Sequence, residues 1–158
     1  MASGNVTFHM KRQEKEITDR VAIDKIIKEA NICHLAMVDG ITPYVVPLHF
    51  GYLDNHLYFH SAPEGRKVDI LKKNNRVCFN ILADVRVVDL TTKCTTEFKS
   101  VIGTGTANLV TDLEEKIRGL KSILRQTLGH EYQIRQDKIE SVLLFRIDIR
   151  EVAGKQSI

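Results

Sequence analysis

Two histidines, His49 and His60, flank an Asp54-Asn55 turn signal, and a hydroxyl, a guanidinium and an ammonium follow closely at Ser61, Arg66 and Lys67. If Asp54 and Asn55 form a two-residue loop, Leu53 lies opposite His56 and every cross-strand pair along the hairpin has the same residue sum. His49 then faces His60 across the strands, on the face carrying Pro47, Gly51 and Tyr58, while Leu48, Phe50, Leu57 and Phe59 turn to the other side. One side is core and the other a polar, aromatic surface. Two opposed imidazoles suit a metal or acid-base chemistry near neutral pH. A third metal ligand is missing from the neighbouring strands and catalytic zinc takes three, so no metal is expected. The bland alternative is a pair of half-exposed strand histidines with no ligand.

Gly65-Arg66-Lys67 opens a short helical segment, RKVDILKKNN. A helix start offers free N–H groups, and with Ser61, Arg66 and Lys67 beside it that end suits a phosphate. A basic pair at a helix start is commonly plain solvated surface, so the seat gains weight only from the histidine face next to it. The glycines at Gly103 and Gly105 lie inside a strand pattern with no helix after them, so they mark a bulge or a close backbone approach rather than a dinucleotide fingerprint.

The elements that must hold these residues are short and mostly β. Thr18 or Asp19 caps a helix with Ile23, Ile26, Ile27 and Ala30 on one face. ICHLAMV, a turn at Asp39-Gly40, YVVPLHFGY and then LYFHS read as an antiparallel meander. The segment RKVDILKKNN ends where paired asparagines tolerate a left-handed backbone. Two long β-rich stretches, VCFNILADVRVVDL and FKSVIGTGTANLV, flank TTKCTTE. Asp112 opens a helix with Leu113, Ile117, Leu120, Leu124 and Leu128 at helical spacing, closed by Gly129 and packed outside the sheet. A last strand alternates, Leu143, Phe145, Ile147 and Ile149 against Leu144, Arg146, Asp148 and Arg150. The sum is a mainly β fold, a six- to seven-stranded antiparallel barrel with accessory helices.

Composition sets the bounds. The 158 residues, 43% apolar and 27% charged, suffice for one globular core and exclude a fibrous or disordered chain. A formal net charge of +3 gives no strong field, so nucleic acid is not an expected partner. No apolar run is long enough for a membrane span, and a cytoplasmic protein is expected. Residues 1–9 read as a polar leader or added tail, residues 10–158 as one domain, and the charge run from Lys11 to Glu16 as a solvated tail. Cys33, Cys78 and Cys94 form no CxxC pair and are expected to be reduced, buried thiols.

The order YVVPLHFGY, LYFHSAPEGRKVDIL, NNRVCF, CTTEFKSVIGTGTA and IREVAGK resembles the nitroimidazole resistance (nitroimidazole reductase) family within the FMN-binding split-barrel superfamily that includes pyridoxamine 5'-phosphate oxidase. The resemblance runs from about Ile17 to near the end of the chain. It implies a homodimer of split barrels with FMN in two clefts at the subunit interface. By the same resemblance Val46, Pro47, Leu48 and His49 contact the flavin ring, and His60, Ser61, Arg66 and Lys67 the phosphate end or nearby edge. A second subunit contributes from Phe98 to Ser100. His60 matches the histidine associated with reactivity, acting on a small nitroaromatic acceptor. The arginine-histidine pattern that follows the barrel in pyridoxamine phosphate oxidases is absent from RIDIREVAGKQSI, so vitamin B6 oxidation is not expected. Two other readings are a flavin store or sensor without turnover, and a haem protein with His49 or His60 as axial ligand. Arg66 and Lys67 at a helix start suit a phosphate better than a propionate.

Overall fold

The computed structural model describes residue 8, residues 10–91 and residues 93–157. The leader expected at 1–9 therefore lies outside the described residues apart from Phe8. The elements in chain order are β1 (Glu16–Ile17), α1 (Arg20–Glu29), β2 (Ile32–Asp39), β3 (Thr42–His49), β4 (Gly51–Leu53), β5 (His56–Ser61), α2 (Arg66–Lys73), β6 (Arg76–Leu90), β7 (Lys93–Leu109), α3 (Leu113–Leu128), α4 (Gln136–Ser141) and β8 (Leu143–Ser157). The strands form one antiparallel sheet in the order β3-β2-β6-β7-β8-β5-β4, with β1 on β8. Because β3 runs into β4 across Phe50, the two ends of that order are one bent strand, and the sheet rolls up as a barrel.

Inside it, Phe50, Leu57 and Phe59, which alternation along the hairpin assigned to the core, are fully buried together with Leu35, Phe79 and Ile81. Asp19 caps α1, its carboxylate accepting from the N–H groups of Val21 and Ala22. Asp112 and Gly129 bound α3 as expected, Gly129 taking a φ of 77° that favours glycine. Glycines 103 and 105 mark both features expected of them. The ladder is irregular between Thr104 and Gly105, and a Cβ on Gly103 would stand 2.2 Å from the Phe79 ring.

Four expectations need correction. The charge run Lys11–Glu16 is no free tail: a 3-10 turn at Gln13–Lys15 leads into β1, which pairs Glu16 with Lys155. TTKCTTE lies largely within β7, so that β6 and β7 form one long ribbon. Asn74 is extended at φ −145°, its side-chain oxygen accepting the Arg76 N–H, so no left-handed residue ends α2. Of the cysteines only Cys33 is buried, its thiol pushed up to about 12 first by burial and then by Cys78, while Cys78 is half-buried and Cys94 exposed.

Candidate functional site

The hairpin register is the expected one at its tip: Leu53 pairs with His56, Tyr52 with Leu57 and Gly51 with Tyr58, around Asp54 and Asn55 at φ 50° and 62°. It ends at Gly51. Beyond Phe50 the strand leaves β5 and pairs with β2 instead, His49 opposite Ile32 and Pro47 opposite His34. His49 and His60 are thus not ladder partners, because the bend that closes the barrel falls between them.

That bend divides the outer face of the hairpin. Toward the tip, α3 covers it: a Cβ on Gly51 would stand 2.2 Å from Ser122 Oγ, and one on Gly119 would meet the Tyr58 ring at 2.7 Å. Tyr58 is buried there with Leu120, Ile123 and Leu144, contrary to the polar surface expected, and its Oη donates to Glu115. The α3 stripe is rotated accordingly. Gly119, Leu120, Ser122 and Ile123 face inward, while Leu113 and Leu128 are exposed.

Past the bend the face is open. His60 is partly exposed, and its pKa lies below the usual histidine value because of burial first, then the charges of Lys67 and His49, which puts the three groups in one electrostatic neighbourhood. His49 Nδ1 donates to the Asn31 carbonyl at 3.1 Å, leaving Nε2 as the free ring nitrogen. Lys67 is half-buried with its Nζ over the Phe59 ring at 5.4 Å, and burial holds its pKa below the ordinary lysine value. No described residue forms an ion pair with Lys67 or a hydrogen bond with the buried Ser61 side chain.

Gly65 caps α2 at φ 133°, a conformation for glycine alone, with nothing within 4 Å of where its Cβ would be. No side chain caps α2, so the first N–H groups of the helix remain free. Arg66 is placed differently from Lys67. Its Nε donates to Asp39 Oδ2 at 3.2 Å and its guanidinium lies 4.5 Å from the Tyr44 ring centre. Asp39, Tyr44 and Asn31 are therefore positioning residues that sequence reasoning missed, and separations of 18 to 27 residues leave no local signal for them.

On β3, Val46 and Leu48 pack against the core, while Pro47 and His49 turn outward beside the exposed Val45. Phe98 and Ser100 are elsewhere. Ser100 pairs with Lys155, whereas His60 pairs with Leu144, eleven residues earlier on the same strand. One chain thus brings His49, His60, Ser61 and Lys67 to one edge, with Arg66 beside them, and leaves Phe98 and Ser100 on β7, two strands beyond β2 in the sheet and apart from His60.

The donors fit a flavin phosphate: a half-buried ammonium without an acid among the described residues, the hydroxyl of Ser61, free helix N–H groups and open space at Gly65. A closed antiparallel barrel with one bent strand, helices inserted between strands and an open basic edge defines the split-barrel class. The model of the pyridoxamine 5'-phosphate oxidase family matches residues 19–156, and the chain belongs to that family. A structure from Bacteroides thetaiotaomicron, described as that of a candidate 5-nitroimidazole antibiotic resistance protein, is 30% identical, with 89% of this chain and 86% of that one covered at a TM-score of 0.81. A flavocytochrome of Azotobacter vinelandii (20% identity, 95% and 73% coverage, TM-score 0.77) shares the fold. So does an FAD-binding protein of Mesorhizobium loti (24% identity, 89% and 96% coverage, TM-score 0.68). No curated protein matches the sequence. No helix among the described residues is long and apolar enough to cross a membrane.

Proposed function

We propose that the chain is an FMN-dependent oxidoreductase working as a cytoplasmic homodimer on small acceptors, nitroaromatic compounds among them. The observation that carries this reading is the half-buried Lys67, unpaired among the described residues, beside His60, Ser61 and an uncapped helix start. Burying a cation without an anion is unfavourable, and a phosphate supplies the missing charge. In this reading Lys67, Ser61 and the α2 N–H groups hold the phosphate, Arg66 steadies the α2 start through Asp39, and Val46 to His49 lie along the ring. When bound, the flavin supplies two-electron redox chemistry.

His60 is neutral near pH 7, because its pKa lies below the ordinary histidine value, and its ring is open enough to meet a ligand. It holds or accepts a proton at the edge of the site. His49, tied to Asn31 by Nδ1, offers Nε2 with a defined tautomer.

The partner supplies what one chain lacks. Outward residues run across the sheet from His49, paired with Ile32, to Leu82, paired with Ser100 and through it with Lys155, Ile32 and Leu82 standing just past the last β2–β6 pair, Cys33–Ile81. Under a two-fold axis through this row, the His49 end of one copy faces the Ser100 end of the other. The exposed Ile32, Val38, Val45 and Leu82 give that face an apolar centre. The purified protein is expected to be yellow, to sediment as a dimer and to pass electrons from a reduced donor to a nitro compound. Colourless protein that gains no flavin absorbance with FMN would overturn the reading; bound flavin that no donor reduces would make it a flavin store.

A further inference from the structure

The cations at one end of the sheet are unevenly matched. On the outer face Ala36 pairs with Cys78 and Cys78 with Thr104, and one step beyond, where β6 begins, Arg76 pairs with Thr106. A groove of about 500 Å³ crosses these strands. Its β3 and β2 side is apolar, with Pro43, Val38 and Ala36, while its β6, β7 and β8 side carries Arg76, Thr106 and Arg150.

Arg150 lines the groove as the extra residue of the β7–β8 bulge, since Thr104 pairs with Glu151 and Gly105 with Ile149. A bulge re-aims a side chain in this way. Arg76 and Arg150 stand two strands apart, about 10 Å at the backbone, within reach of one bound molecule. Neither guanidinium has an ion pair or a hydrogen bond with a described residue. Two nearby acids are taken: Asp39, next to Val38, by Arg66, and Asp148, opposite Thr106, by Arg146 and Asn108. Glu151 is the acid in the lining, so two guanidiniums share one carboxylate there.

We propose that this groove binds a small organic acid with an apolar body, Arg76 and Arg150 holding its carboxylate beside Thr106 and the body lying on Ala36, Val38 and Pro43. The planar fork of a guanidinium matches a carboxylate, the apolar side removes the body from water, and the volume is that of a small-molecule site. Neither flavin nor a second copy is needed for it. Val38 also belongs to the apolar face given to the partner copy above. The groove lies at the end of that face, Thr106 standing six residues, about 20 Å, along β7 from Ser100.

Calorimetric titration of the full chain with 1-naphthoate and with its neutral amide, 1-naphthamide, tests the site. The acid is expected to bind at least about tenfold more tightly than the amide. That preference should fall in Arg150→Gln, vanish in Arg76→Gln/Arg150→Gln and survive Lys67→Met. Both arginines are exposed, so far-UV circular dichroism should not change. In a Cys94→Ser chain the half-buried Cys78, in the groove lining, is the thiol open to bromobimane, since Cys33 is buried, and naphthoate should slow its labelling. Equal affinities for acid and amide, a preference kept in the double variant, or labelling that ignores naphthoate would overturn the proposal. So would a preference lost in Lys67→Met, which would put the acid in the phosphate seat. Protein that takes up no FMN yet prefers naphthoate through its arginines would overturn the flavin reading alone and uphold the groove.

Discussion

The two ends of one hairpin face make opposite use of polar residues. Under α3, Tyr58 donates to Glu115, Arg146 joins Glu115 and Asp148, and Asn108 donates to Asp148, so the charges are spent on one another. Past Phe50, His60, Ser61 and Lys67 have no such partners among the described residues. A network satisfied from within ties an element down, while unspent donors on an open edge await a ligand. The covered end therefore belongs to stability and the open end to binding.

The strongest way to break this contrast is Gly51→Ala. The new methyl would stand 2.4 Å from the Ile123 amide nitrogen, and helix backbone cannot step aside cheaply. Denaturant unfolding is expected to lose about 3 kcal/mol, with FMN affinity of the folded protein little changed. Glu115→Ala strands the Tyr58 hydroxyl and one side of Arg146. About 2 kcal/mol of stability should go, again without a matching change in FMN affinity.

At the open end the pattern reverses. Lys67→Met is expected to weaken FMN binding by tenfold or more, about 1.5 kcal/mol. Stability without flavin should hold or rise, because a half-buried unpaired cation is removed. The smallest effect is on pH. The folded-state pKa of His60 lies below the unfolded value, so between the two the unfolded chain binds more protons. Flavin-free protein should lose stability as pH falls below about 6.5, and His60→Gln should lose less over the same window by thermal unfolding. An equal acid sensitivity in the variant would remove His60 from the account.

Much of this contrast was legible in the residues themselves. Alternation gave the core of the hairpin, the Asp54-Asn55 turn its tip register, and Asp112 with Gly129 the limits of α3. The division of the outer face was not. A helix pattern declares its own apolar stripe but not the surface that receives it, so nothing local said that Gly119 and Gly51 let α3 close over Tyr58. The break at Phe50 follows from closing the barrel, a requirement of the whole sheet rather than of two neighbouring strands. α4, six residues with only Ile139 buried, has too short a period to read. The Arg66–Asp39 pair spans 27 residues and leaves no trace in spacing.

The central claim is that the open edge is a phosphate seat, and a fluorescence titration of the flavin-free protein with FMN and with riboflavin tests it most directly. FMN should bind at least tenfold more tightly than riboflavin, with most of that difference lost in Lys67→Met. Equal affinities for the two flavins, or a preference that survives Lys67→Met intact, would contradict it.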